Sequence, residues 1–263
     1  MKVLCLLLSA VILGFVCNGC SVNPVTGEEQ LILVSPEQEK QMGAEYSKQV
    51  EKELGQSVKD AQLQNYINSV GQKIVRVCHT PNESFSYKAI DHKSVNAFAL
   101  PGGYIYITTG LLKELNSEAQ LAAVLAHETA HVTARHIAQQ ITRDYLINIG
   151  FSVAGSTASS GAVRIANIVR QLESMSFTRS QEKQADEIGL DYLVKAGYTP
   201  FGMIETMEIL ERQSGSRTIE FFATHPNPEN RIGYLQERIY EKGYRGEGRI
   251  GKSEYAANVL SRL

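Results

Sequence analysis

His127 and His131 stand four residues apart, at the end of the apolar approach Leu121-Ala-Ala-Val-Leu-Ala126. Residues at that spacing lie about one turn apart on one helix face, so both imidazoles can turn a ring nitrogen toward the same point. Two imidazoles buried among leucine and valine need a partner that offsets their desolvation, and a metal ion is such a partner. This pattern constrains the fold more than any other feature of the chain. It requires a buried helix, and it requires a second element to deliver a further ligand, because catalytic zinc takes three protein ligands and keeps one position open.

Glu128 is rotated by about 100° from His127, so it flanks the ion rather than binding it. A carboxylate there can take a proton from an activated water and return it to a leaving amine, the chemistry of the His-Glu-x-x-His arrangement. The third ligand is expected from Thr178-Arg-Ser-Gln-Glu-Lys-Gln-Ala-Asp186. Glu182 and Asp186 are again four apart; one can bind the metal while the other hydrogen-bonds a ligand histidine. The residues alone leave Glu182 open between that role and a solvated helix face shared with Lys183 and Gln184.

Around these motifs the chain reads as a mostly helical α+β domain. Ser35-Pro36-Glu37-Gln38 combines an N-cap serine, proline at the first helical position and glutamine three residues after the cap, predicting a helix to about Leu54. Leu63, Tyr66, Ile67, Val70, Ile74 and Val77 repeat at helical spacing over 61–77. Ser84–Ile90 alternates as a half-buried strand does. The runs 95–100 and 104–108 flank Pro101-Gly102-Gly103, a hairpin signal, so a small, largely antiparallel sheet is expected beside the metal helix. The stretch 145–169, rich in Gly, Ala, Ser and Ile, reads as close-packed helices or as a loop over a cleft. Helices follow from about Ser180, from Phe201 and over 229–240. The segment 20–34 reads as a tether, 35–243 as the catalytic domain, and the glycine-rich 244–263 as a surface-lying or frayed tail.

The uncharged run Val3–Val16 behind Lys2 is too short to cross a bilayer and fits the core of an export signal. Gly19-Cys20-Ser21 at its end resembles a lipoprotein signal, cut before Cys20 with the thiol taking a lipid; plain secretion with cleavage nearby is the alternative. Cys5 and Cys17 would leave with residues 1–19, and Cys78 then has no partner, which a 263-residue chain with 43% hydrophobic residues tolerates. A net charge of −2 offers no basic face for nucleic acid.

Taken together, His127-Glu-Thr-Ala-His131 and Ser180-Gln-Glu-Lys-Gln-Ala-Asp186 resemble the HtpX-like and CAAX-prenyl-protease-like gluzincin metallopeptidases. Gly19-Cys-Ser-Val-Asn-Pro-Val-Thr-Gly27, Asn96-Ala-Phe-Ala99 with Pro101-Gly-Gly, and His225-Pro226 with Arg231 are similar to the exported lipoprotein branch, BepA-like but without a C-terminal repeat domain. The resemblance implies one zinc ion on His127, His131 and Glu182, with Asp186 behind them and Glu128 as catalytic base. It implies that the strand at Asn96, Ala97, Phe98 and Ala99 is the edge on which an extended substrate is laid. It also implies that His225 reaches toward the metal. His225 then either fills the open position in a latent enzyme or donates to the oxyanion, a role that Arg231 can take instead.

His136, on another face, is expected to be structural or exposed, and His79 and His92 to lie at the surface. The expected activity is zinc endopeptidase action on misfolded or misassembled envelope proteins, lipid-anchored at Cys20 and facing the periplasm from the outer membrane. Two rivals stand beside it: a chaperone or assembly factor that cuts rarely, and a lipoprotein whose zinc only ties helices together.

Overall fold

The computed structural model describes residues 20–153, 176–213, 221–226 and 230–263. The expected export signal, the stretch from 154 to 169 and residues 227–229 lie outside them. Strands β1 (Cys20–Val22) and β2 (Glu29–Leu31) form an antiparallel hairpin. Helix α1 (Pro36–Glu53) starts at the expected box: Ser35 accepts from the Gln38 amide while the Gln38 side chain accepts from the Ser35 amide. Asp60 caps α2 (Ala61–Val75), whose buried Leu63, Ile67, Val70 and Ile74 follow the expected spacing.

Strands β3 (Ser86–Ile90), β4 (Ala97–Leu100) and β5 (Tyr104–Thr108) form one sheet in the order β3-β5-β4. β4 and β5 are the expected antiparallel hairpin, with Gly102 and Gly103 at φ 72° and 86° in the turn. β3, however, runs parallel to β5, so the sheet is mixed rather than largely antiparallel. Alternation of side chains along Ser86–Ile90 is the same in either strand direction and carries no information about orientation.

Eight helices follow among the described residues: α3 (Thr109–Glu114), α4 (Glu118–Thr133), α5 (His136–Val153), α6 (Arg179–Lys195), α7 (Phe201–Gln213), α8 (Phe221–Thr224), α9 (Arg231–Glu241) and α10 (Lys252–Asn258). Helix α4 is the axis of the molecule: every residue from Glu118 to His131 is buried. It packs against α2, β4, α6 and α7. A helix apolar or covered all round belongs in a core, and this one carries the two motif histidines into it. α6 approaches α4 at Gly189, where a Cβ would stand 3.0 Å from the His127 nitrogen. That close approach brings Glu182 and Asp186 to the histidines. Among the described residues no helix is long and apolar enough to cross a membrane.

Two segments read as loose are built into the domain. In 20–34, Asn23 is buried and its Nδ2 donates to the Ala134 carbonyl; Arg135, just past the end of α4, donates to Ser21 Oγ, the Val34 carbonyl and Glu39. Arg135 takes φ 58°, an unusual conformation for a side-chain-bearing residue, at the position that ends a helix. The tail, too, is ordered. The Ile250 and Gly251 carbonyls accept from the Ala119 and Glu118 amides, which have no acceptor within α4. Tyr255 is fully buried and donates to the Leu112 carbonyl. A tail anchored through its own backbone carbonyls leaves no apolar period in the sequence.

At the same end of α4 the Glu118 carboxylate collects Lys73, Tyr66, Tyr198 and Arg249. Burial pushes its carboxyl up, but these donors outweigh burial and hold it down to about 2. Such a depressed folded-state value stabilises the fold above about pH 4.5, and the contribution, about 3 kcal/mol, drains away as pH falls toward 2. Glu118→Gln is therefore expected to be several kcal/mol less stable than the parent at pH 7, with the gap closing between pH 4.5 and 2. Urea midpoints measured across that range check it; a gap independent of pH contradicts it.

Candidate metal centre

His127 and His131 project from the same face of α4, and Glu182 from the first turn of α6. His225 follows α8, which is tied to the rest by the Phe221 amide on the Val95 carbonyl and by the Phe177 amide on the Thr224 carbonyl. All four side chains are buried, and one ligand atom from each lies within 4.8 Å of the others. The separations are 3.1 Å between the His127 and His131 Nε2 atoms, 3.3 Å from His131 Nε2 to Glu182 Oε1, 3.5 Å from His127 Nε2 to Glu182 Oε2 and 3.4 Å from His127 Nε2 to His225 Nδ1. Zinc holding nitrogen and oxygen donors in a tetrahedron sets them about 3.3–3.5 Å apart. Three imidazoles and a carboxylate at that spacing, with Glu182 Oε2 buried and without a hydrogen-bond partner among the described residues, fit such an ion.

Behind the donors, hydrogen bonds fix each ring. His127 Nδ1 lies 2.9 Å from Asp186 Oδ1. Asp186 in turn receives Arg231 twice, Nε at 2.7 Å and Nη2 at 2.6 Å, and the Tyr234 hydroxyl. A carboxylate on the far nitrogen holds the ring with Nε2 facing inward. Burial pushes the Asp186 carboxyl up, yet the Arg231 guanidinium and His127 hold it below its ordinary value. Burial alone would push His127 down; Asp186 and Glu182 instead raise it to about 9. The two carboxylates thus demand a positive charge among the rings.

His131 is oriented differently, by a chain that sequence reasoning missed. His131 Nδ1 is 3.0 Å from His136 Nδ1, and His136 Nε2 is 2.7 Å from Gln184 Oε1. An amide oxygen only accepts, so His136 carries its proton on Nε2 and accepts from His131 through Nδ1, which leaves His131 Nε2 free. Burial pushes His136 down to about 4, so it is neutral at pH 7 and suited to accept. His136 opens α5 beyond a break at Arg135. Its distance from the motif therefore could not be read from the spacing of one continuous helix. Phe177 stacks on His131 at 3.8 Å and Phe221 on His225 at 4.4 Å, closing the rings in apolar surfaces.

Glu128 is fully buried, and neither of its oxygens has a hydrogen-bond partner among the described residues. Its nearest polar neighbour is His225, Nε2 to Oε1 at 3.5 Å. Burial raises its carboxyl above the ordinary value against the pull of His225 and His127. A carboxylate left unpaired beside a metal-binding cluster is one prepared to exchange a proton. Among the described residues β4 is an edge strand, paired only with β5, and carries Ala97, Phe98 and Ala99, while Asn96 precedes it. Arg231 donates to Asp186 through Nε and Nη2, its Nη2 lies 3.4 Å from Glu182, and its Nη1 is buried without a hydrogen-bond partner among the described residues. His79 is exposed and His92 partly so, and neither joins the cluster.

Residues 61–239 match the model of a family described as Peptidase family M48. The chain is 30% identical over 213 residues to the beta-barrel assembly-enhancing protease of Escherichia coli (strain K12), an alignment covering 76% of this chain and 44% of that one. It is 28% identical over 231 residues to the beta-barrel assembly-enhancing protease of Yersinia pestis, covering 82% and 46%. It is 31% identical over 225 residues to the mitochondrial metalloendopeptidase OMA1 of Schizosaccharomyces pombe, covering 83% and 66%. The chain thus spans less than half the length of the two bacterial relatives.

Proposed function

Because the chain belongs to peptidase family M48, we propose that it is a zinc-dependent endopeptidase that hydrolyses misfolded or misassembled proteins of the bacterial envelope. The observation that carries this reading is the unpaired, buried Glu128 carboxylate beside a four-donor cluster. A zinc ion that serves only to tie helices together has no use for such a group.

His127, His131 and Glu182 would hold the single zinc. Once bound, zinc supplies Lewis acidity that brings the pKa of a water toward 7 and polarises a carbonyl. Glu128 accepts the proton and delivers it to the leaving amine. Asp186, clamped by Arg231, keeps His127 turned inward. The free edge of β4 receives the substrate backbone as an added strand, and the walls around it exclude water. His225, 2.9 Å from Glu182 Oε1, stands with the other donors and would hold the zinc in the resting state, keeping the enzyme latent. Its position favours that role over donation to the oxyanion.

The substrates are suggested by the name of the bacterial relatives, which ties them to β-barrel assembly. An envelope location follows the same lead. Lipidation at Cys20 and an outer-membrane position facing the periplasm draw their support from the Gly19-Cys20-Ser21 signal.

Zinc content measured together with digestion of unfolded casein tests the reading. One zinc per chain and chelator-sensitive cleavage are expected. One tightly held zinc with no cleavage, even after His225→Ala, supports the tie between helices instead. His225→Ala is expected to raise basal casein cleavage severalfold; a loss of cleavage would assign His225 to the oxyanion.

A further inference from the structure

Beside His225 a narrow cleft with a cavity volume of about 50 Å³ runs between the edge strand and α5. One wall carries Asn96, Phe98 and Ala99; the other carries Ile137 and Gln140, with Phe177 between them and the metal cluster. Apolar and polar side chains share the lining, and two of its amides have atoms left without partners among the described residues. Gln140 is 2% exposed, and both its Nε2 and its Oε1 lack any hydrogen-bond partner among the described residues. Asn96 is 8% exposed, and its Oδ1 is equally unpartnered. A buried donor or acceptor left unmade costs about 1–3 kcal/mol, so a fold that buries a whole amide this way spends stability on it. Polar groups of that kind facing a cleft indicate a ligand that completes them.

We infer that Gln140 clamps the backbone of the bound polypeptide from the side opposite β4. This rests on the peptidase reading above and names the group that grips its substrate. In an extended strand, alternate residues direct both N–H and C=O to opposite edges. A peptide laid along β4 satisfies one edge there and leaves the other turned toward α5. The Gln140 amide offers one acceptor and one pair of donors, the complement of the N–H and C=O of a single residue. Asn96 Oδ1 adds a second acceptor at the cleft wall. Recognition of this kind reads extended backbone rather than side-chain sequence, and so selects unfolded segments over folded ones.

The test compares the zinc-loaded parent with Gln140→Met, which keeps the side-chain length and removes the amide. KM for casein is expected to rise at least tenfold with kcat within about twofold, the signature of lost uniform binding. The melting temperature is expected to hold or rise, because an unsatisfied buried amide has gone. In parallel, fluorescein-labelled casein is titrated against Glu128→Gln with and without Gln140→Met, and Kd is expected to weaken at least tenfold. An unchanged KM and Kd overturns the clamp. A melting temperature several degrees lower also overturns it, since Gln140 would then be a structural residue of the core. If the parent fails to cut casein while binding still depends on Gln140, the hydrolytic reading falls and the clamp stands.

Discussion

With Glu128 replaced by glutamine, casein hydrolysis is expected to fall at least about a thousandfold while each chain keeps one zinc. General-base action contributes about 10²–10⁴ in rate, and glutamine removes it without changing the shape of the side chain. Glu128 flanks the cluster and lies outside the four donors, so zinc content should not change. Its oxygens have no hydrogen-bond partner among the described residues, so the exchange breaks no hydrogen bond there, and the contact with His225 at 3.5 Å is the one it alters most. Zinc per chain and kcat/KM, measured on one preparation, decide it. Retention of a tenth of the parent rate would move the proton acceptor elsewhere. If Glu128→Gln keeps full biological activity despite losing hydrolysis, the chain acts mainly as a chaperone or assembly factor.

Deleting residues 244–263 is expected to remove on the order of 5 kcal/mol or more, enough to abolish cooperative folding in a domain of ordinary stability. Tyr255 and Val259 are fully buried, and loss of a large buried aromatic alone costs about 3–5 kcal/mol. The amides of Glu118 and Ala119 lose the Gly251 and Ile250 carbonyls, leaving two donors unpaired at the start of a buried helix. Glu118 loses Arg249 as well, and Arg262 leaves Asp60. Because α4 carries His127 and His131, the damage reaches the metal centre, and zinc affinity should fall with stability. A circular-dichroism melt of the truncated chain checks this, with Tyr255→Ala as the milder companion. A melting temperature within a few degrees of the full chain would return the tail to the surface.

The metal centre was legible where the chemistry is local. The four-residue spacing of His127 and His131, and of Glu182 and Asp186, states which side chains share a helix face before any fold is known. The Ser35 and Ser117 caps were legible for the same reason: partner and cap lie three residues apart, and the Ser117 side chain accepts from the Gln120 amide. At α6 the cap is Thr178 with Gln181, whereas the sequence placed the start near Ser180.

What escaped depends on residues far apart in the chain. His136 matters because Gln184, on another helix, fixes its tautomer. Gln140 stands out only once its surroundings show that its amide has no hydrogen-bond partner among the described residues. β3 pairs parallel because the hairpin leaves the far side of β5 open, a fact of topology rather than of residue type. The hairpin of 20–34 and the tail are held by backbone carbonyls, by Arg135, Arg249 and Arg262, and by a few isolated buried side chains such as Tyr255 and Val259, which leave no hydrophobic period to detect.

The docking of β1 and β2 has a mechanical consequence. Arg135 fastens Ser21 to the end of the helix that carries the two ligand histidines, so position 20 is separated from the catalytic body by a single residue. If acyl chains enter the bilayer from Cys20, as proposed, the enzyme stands there like a post rather than a buoy. Its reach is then fixed at one height above the lipid, and only chains emerging within that narrow layer come under its blade.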